Sequence, residues 1–331
     1  MRRGRDMATM AEYPPGRAAD PATGAPIETV VGVEGLRMDY GSTRVLDGLG
    51  LTVRAGEVVA LLGPNGAGKT TTIEILEGFR RRSAGRVEVL GQDPARAGEA
   101  WRADLGVVLQ SWRDHGVWRV RELLHHFGRY YAAYSTPERV RPFDTDVLLD
   151  RVGLAGHARR QVKSLSGGQR RRLDVAIGLV GRPRLLFLDE PTAGFDPQAR
   201  RNFHDLVHDV VDENDTAVLL TTHDLDEAER LADRILVLTG GRIVADGSAE
   251  QLATGLGGDS EVAWTVDGRR SVHSTRAPVE FVAGLYADHG DSVTDLRVTR
   301  PTLEDVYMDL VRRHESGDIE NAAAEFERTV R

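Results

Sequence analysis

The chain contains no cysteine among its 331 residues. Disulfides, thiolate metal sites and cysteine nucleophiles are therefore excluded, and a reducing compartment suits the composition. Long apolar runs are also missing: VVALL at 58–62 and LLFL at 185–188 fall far short of the ~20 residues that a membrane-spanning helix needs. If the protein acts at a membrane, another chain must cross it. Basic charge is in deficit too, with 43 Lys and Arg against 51 Asp and Glu and a net charge of −8. No long basic stretch follows a phosphate backbone, so nucleic acid is not an expected partner. The opening MRRGRDMATM carries arginine but leads into AEYPPGRAADPATGAPIET rather than an apolar run, and a secretory signal is not expected.

What is present changes in character along the chain. Residues 1–28 are rich in Pro, Ala, Gly and Arg without an apolar period, which predicts a disordered tail. TVVGVEGLRMDY, RVLDGLGLTV and RVEVLG are short, β-branched and separated by Gly, as antiparallel strands are. Between them EVVALLG reads as a buried strand running into a glycine loop and then into the helix-like TTTIEILEGF. Residues 93–163 turn helical in composition, with RVRELLHHFGRYYAAY and DTDVLLDRVGL set apart by Pro137 and Pro142, and are expected to form an inserted helical subdomain. RLLFLDE and TAVLLTTHD, each followed by helix-forming sequence, restore the βαβ alternation of a parallel sheet. Beyond residue 250, EVAWTVDG and RSVHST predict a hairpin, PVEFVAGLYADHG a helix, SVTDLRVTR a strand and TLEDVYMDLVRRH a helix. Together these make residues 251–331 a small α+β accessory domain behind a main domain over 29–250.

Two local patterns carry chemistry on their own. Gly63, Pro64, Asn65, Gly66, Ala67, Gly68, Lys69 and Thr70, with Thr71 following, fit the P-loop pattern and sit between strand and helix as it requires. Glycines let successive N–H groups and a helix N-terminus point at phosphates. Lys69 is placed to neutralise β- and γ-phosphate charge, and the Thr70 hydroxyl to ligate Mg²⁺. By itself the loop says only that the protein handles a nucleoside triphosphate. The second pattern is RLLFLDEP, an apolar strand ending in Asp189 and Glu190. Asp189 suits Mg²⁺ held through its water shell, and Glu190 suits a base that polarises the attacking water.

A third motif narrows the class. Leu165, Ser166, Gly167, Gly168 and Gln169 match the signature sequence of ABC ATPases, and the chain resembles an ABC nucleotide-binding subunit over residues 29–250. The resemblance implies a P-loop α/β fold with a parallel core sheet, an antiparallel β subdomain and a helical subdomain. It also implies roles residue by residue: Tyr40 stacks on adenine, a reading favoured over that of a half-buried strand tyrosine because aromatic faces suit sequence-tolerant base contact. Gln110 is the Q-loop residue that touches Mg²⁺ and couples to the membrane partner. The D-loop is Ala193-Gly194-Phe195-Asp196, with Phe195 where leucine is usual, and His223 is the switch histidine at the γ-phosphate. Ser166 and the Gly167–Gly168 amides form a second phosphate cradle at a helix N-terminus. Since one cradle already lies on the chain, the second makes sense closing over ATP bound to a partner. His125 and His126 have no metal-ligand partners nearby in sequence and read as solvated or core histidines.

Arg300-Pro301-Thr302-Leu303-Glu304-Asp305-Val306-Tyr307 resembles the Pro-Thr-Leu-Glu-Asp-Val-Phe element that ends many ABC-2 type exporter ATPases, including the daunorubicin-resistance type. The resemblance implies an ATP- and Mg²⁺-dependent ATPase at the cytoplasmic face of the cell membrane. It would be held peripherally by ABC-2 type membrane permease subunits, paired with a second copy or a closely related ATPase subunit, and would energise export of a drug, lipid or polysaccharide. Two other readings stay open on sequence alone: a soluble ABC ATPase acting on the ribosome or DNA, and an importer subunit.

Overall fold

The computed structural model describes residues 28–108, 115–192, 194–255, 260–275, 277–299 and 302–315. Strand β1 (Thr29–Tyr40) pairs antiparallel with β2 (Thr43–Arg54). The apolar strand β3 (Val58–Leu62) then leads through the glycine loop into helix α1 (Lys69–Leu76), and β4 (Ala84–Val89) returns to the other edge of β1. The result is a three-stranded antiparallel sheet ordered β2-β1-β4. Glu28, expected in the tail, is already tied down: its carbonyl accepts from Ala55 N–H at 2.8 Å and its carboxylate pairs with Arg184 at 2.8 Å.

The region 93–163 differs from the helical expectation at its start. After the short α2 (Glu99–Arg102), the segment Leu105–Val108 is a strand, β5, that pairs in parallel with β6 (Leu185–Asp189) at the edge of the central sheet. Only beyond it does the chain become helical, with α3 (Val120–Tyr131) and α4 (Thr145–Arg151) packed together and against α5 (Gly167–Leu179). Next come α6 (Pro197–Asn214), β7 (Ala217–Thr222), α7 (Leu225–Leu231), β8 (Arg234–Thr239) and β9 (Arg242–Gly247). The central sheet runs β5-β6-β7-β3-β8-β9, parallel except for the last pair. RILVLT and RIVADG, the sequences of β8 and β9, extend the sheet beyond the strands that sequence periodicity picked out.

Both faces of this sheet are covered, so β3, β6 and β7 are buried at every position, as strands in two-sided parallel sheets are. Alternation divides their side chains. Val58, Ala60 and Leu62 join the helical layer of α3 to α7, while Val59 and Leu61 face α1 and the antiparallel sheet. That sandwich fixes where β3 and β6 end, and their C-terminal ends carry the candidate chemistry.

After α8 (Ala249–Gly255), the strands β10 (Ser260–Val266), β11 (Arg269–Thr275) and β12 (Thr294–Thr299) form a sheet ordered β11-β10-β12, with α9 (Pro278–His289) packed on β10. These elements match the hairpin, helix and strand expected from sequence. The last helix, α10 (Leu303–Glu315), does not stay with them: it packs on α8 and β8, and Leu303, Val306 and Leu310 join the core shared with the helical layer. Residues 316–331, the acidic end of the expected accessory domain, lie outside the described residues.

One buried group marks the back of the phosphate loop's helix. Glu77 caps the C-terminus of α1 at 4% exposure, and among the described residues neither carboxyl oxygen has a hydrogen-bond partner. Burial, with Asp189 and Glu74 adding repulsion, pushes its pKa up to about 8 from 4.5. The folded state then holds a proton that the unfolded chain has released, so the stability from this group is full below pH 4.5 and is lost as pH rises through 8. Glu77→Gln removes the titration. Measured by urea unfolding, the stability of the natural chain relative to this variant should fall by roughly 1.4 kcal/mol per pH unit across that window. A difference that stays constant with pH would contradict the burial argument.

Candidate active site

The phosphate loop is built by backbone geometry that only some residues tolerate. Gly68, which caps α1, has φ 106°, and a Cβ there would meet the Leu46 side chain at 2.6 Å. A larger residue would be both strained and crowded. At the loop's start a Cβ on Gly63 would run into the Leu238 carbonyl of β8, so the loop leaves β3 pressed against its neighbour. Lys69 is 7% exposed, and its ammonium donates to the Gly63 carbonyl at 2.7 Å and the Pro64 carbonyl at 3.2 Å. Burial lowers its pKa, while Glu190 and Asp189 oppose the shift.

A cleft of about 380 Å³ opens over this loop, lined by Val45, Asn65, Gly66, Gly68, Lys69, Thr70, Thr71, Asp189 and Glu190. The volume lies within the range of small-molecule sites. The loop and the two carboxylates, 120 residues apart in sequence from Lys69 to Asp189, thus line one space. Val45, on β2, is a lining residue that sequence reasoning missed. It is one apolar residue in an alternating strand, and only the fold brings it to the loop.

The two carboxylates are held differently. Asp189 stands opposite Thr221 in the parallel register of β6 and β7, and the Thr221 hydroxyl donates to its Oδ1 at 2.5 Å. Glu190 lies one residue past the strand, at φ 45°, a left-handed conformation that a non-glycine residue adopts at a cost of about 1–3 kcal/mol. Its N–H is fixed by the Thr221 carbonyl at 3.1 Å and hydroxyl at 3.2 Å. The turn separates the directions of neighbouring side chains and brings Glu190 Oε1 to 3.1 Å from His223 Nδ1. Sequence placed these two residues in separate motifs; the structure puts them in contact.

Behind this turn sits a residue that no motif announced. Arg171 of α5, 7% exposed, donates from Nε to the Pro191 carbonyl at 2.9 Å and from Nη2 to the carbonyls of Asp189 at 2.8 Å and Glu190 at 3.3 Å. Glu227, 2% exposed, lies near it; burial raises the Glu227 pKa, and the hydroxyls of Thr222 and Thr192 oppose the shift.

Tyr40, at the end of β1, is 41% exposed, its hydroxyl 3.5 Å from Thr71 Oγ1 and its ring 5.1 Å from the Arg80 guanidinium carbon. It is therefore no core tyrosine, and it stands beside the phosphate loop. Ser166 caps α5 in a reciprocal box: Gln169 N–H donates to its hydroxyl at 3.3 Å, and its own N–H donates to Gln169 Oε1 at 3.1 Å. Ser166 and Gly167 are exposed, whereas Leu165 packs on the core. None of residues 165–169 lines the cleft of the same chain. Asp196 caps α6, accepting from the N–H groups of Gln198 and Ala199 at 2.9 Å each, a structural duty in addition to any in the D-loop. Gln110 and Ala193 lie outside the described residues.

Comparison with known proteins agrees with this geometry. Residues 46–193 match the ABC transporter family. The chain is 39% identical over 309 residues to the daunorubicin resistance ATP-binding protein DrrA3 of Streptomyces coeruleorubidus, covering 86% of this chain and 96% of that one. It is 41% identical over 244 residues to the Nod factor export ATP-binding protein I of Ralstonia nicotianae, covering 73% of each. Among solved structures, an ATP binding subunit of an ABC transporter superposes with a TM-score of 0.58 at 25% identity, covering 68% of this chain and 92% of that one. With the phosphate loop, the paired carboxylates and the signature helix in one fold, the chain belongs to the ABC transporter family, as an ATP-binding, ATP-hydrolysing subunit that energises export.

Proposed function

We propose that this subunit pairs with a second copy or a close relative, sits peripherally at the cytoplasmic face of the membrane and drives an ABC-2 type permease that exports a drug, lipid or polysaccharide. The names of its relatives, daunorubicin resistance and Nod factor export, favour export over import. Among the described residues no helix is long and apolar enough to cross a membrane, and this reading assigns the crossing to separate spanning subunits. Copurification of a multi-spanning protein with the tagged chain tests this part; recovery with ribosomes instead would overturn it.

The single observation that carries the catalytic reading is the 3.1 Å contact of Glu190 with His223 at the mouth of the phosphate-loop cleft. In this reading the loop amides and Lys69 hold the β- and γ-phosphates, Tyr40 carries the adenine, and Glu190 accepts the proton of the attacking water. His223 steadies the carboxylate and reaches for the γ-phosphate. The oxygen donors Thr70 and Asp189 suit Mg²⁺, which takes few protein ligands and completes its shell with phosphates and water. Among the described residues no cluster of three His, Cys, Asp or Glu holds a metal alone, in keeping with a site that depends on the nucleotide. When bound, Mg²⁺ would supply charge neutralisation at the phosphates.

The signature segment stands apart from its own chain's cleft, which supports a composite site with Lys69 of one subunit and Ser166 of the other on each ATP. Lys69→Ala and Ser166→Arg proteins should each be nearly inactive. Mixed in equal amounts, they should recover up to about a quarter of wild-type sites in phosphate release, because one site of each heterodimer joins an intact loop to an intact signature. Because coupling between the sites lowers the recovery, ATP-dependent heterodimer formation is measured beside phosphate release, and absence of both signals counts against the composite site.

A further inference from the structure

The helix that begins at the signature segment also grips the catalytic turn of its own chain. Arg171 lies five residues beyond Ser166, about one and a half turns along α5. Its guanidinium spans three consecutive carbonyls, of Asp189, Glu190 and Pro191. Those carbonyls belong to the turn whose left-handed residue aims Glu190. A planar fork of donors fixes the direction of such a strip of backbone in a way that a point charge cannot. The link is stiff at both ends: Leu173, Val175, Ala176 and Leu179 bury α5 in the core, and Thr221 pins Asp189 and Glu190 from β7. A shift of the helix therefore moves the turn, because packed interiors transmit displacement rather than absorb it.

We infer that Arg171 is the positioning residue through which closure of one ATP site acts on the catalytic glutamate of the other. The inference rests on the composite-site reading above. There, the N-terminus of α5 meets the ATP on the partner's loop, while Arg171 on the same helix holds the Glu190 that serves the ATP on its own loop. Binding at one site thus sets the geometry of the base at the second, and linkage makes the coupling in binding reciprocal.

The test compares ATP hydrolysis by the natural chain with Arg171→Gln, which keeps a polar side chain but loses the fork, and Arg171→Lys, which keeps the charge. The natural chain should show a Hill coefficient above one. In Arg171→Gln the coefficient should fall to about one and kcat by about tenfold, while affinity for the first ATP holds and the protein stays folded at the assay temperature, and Lys should recover part of the loss. A folded Gln variant with unchanged kcat and cooperativity overturns the inference, as does a non-cooperative natural chain.

Hydrogen exchange tests the same link with Arg171 intact, should neither variant fold. In a dimer of the natural chain with an isotope-labelled Lys69→Ala chain, ATP on the natural chain's loop engages the labelled chain's signature. Amides of Glu190 and Thr192 in the labelled chain should then exchange more slowly, and adding Ser166→Arg to that chain should abolish the slowing. Absence of slowing counts against the relay. ATP-dependent heterodimers of Lys69→Ala with Ser166→Arg, together with full activity of Arg171→Gln, would sink the relay and leave the composite site standing; failure of those heterodimers to form with ATP would remove both.

Discussion

Glu190→Gln should leave a protein that binds ATP with nearly natural affinity and hydrolyses it about a hundred to ten thousand times more slowly, the usual contribution of a positioned general base. The amide keeps the shape of the carboxylate but has no basic oxygen for the proton of water. The surrounding geometry gives the substitution little reason to disturb the fold. The backbone of residue 190 is held by Thr221 and Arg171 through its N–H and carbonyl, none of which depends on the side chain. An amide can also still meet His223, whose Nδ1 lies 3.1 Å from Oε1. With hydrolysis blocked and binding intact, the ATP-bound dimer should accumulate and run as a dimer in gel filtration. Full turnover by the variant would remove Glu190 from the role of base, and loss of ATP binding would place it in ground-state recognition instead.

Lys69→Ala should weaken ATP binding by about 3 kcal/mol, roughly a hundredfold in Kd by isothermal titration, since truncating one partner of a buried charged hydrogen bond costs about 2–5 kcal/mol. Lys69 is the cation among the residues lining the cleft, where it faces Asp189 and Glu190. Removing it leaves the phosphates against two carboxylates with one fewer compensating charge. Because its ammonium also holds the carbonyls of Gly63 and Pro64, the melting temperature must be measured beside the affinity. A hundredfold loss at unchanged melting temperature assigns the effect to phosphate recognition. An unchanged Kd would mean that the loop does not hold the phosphates.

What could be read in the sequence was contiguous. The phosphate loop is eight successive residues whose glycines announce their backbone, and RLLFLDE shows an apolar strand with two acids at its end. The strands and helices beyond residue 260 were legible for the same reason, since each has its own period. Residues that act across the fold left no such mark. Arg171 stands in a run of three arginines and only tertiary structure tells which one is buried beneath Glu190. Thr221 is one of two adjacent threonines, and its role comes from the register of β7 against β6. Strand β5 was hidden because four residues at a sheet edge, following the helical turn of α2, are too few to display a period. For α10 the amphipathic pattern was plain, but no pattern says against what an apolar stripe will pack.

That last helix bears on how the protein is made. Translation releases the chain from its N-terminus, and domains generally fold as they emerge. Leu303, Val306 and Leu310 complete a core whose other members, among them Leu252 and Ile235, were synthesised well before. A ribosome-bound chain that has already laid down the whole central sheet therefore still presents the apolar seat of α10 on α8 and β8. Premature termination between residues 256 and 302 would leave an ATPase with its phosphate loop and carboxylates in sequence and an uncovered greasy flank, a target for chaperones or for aggregation.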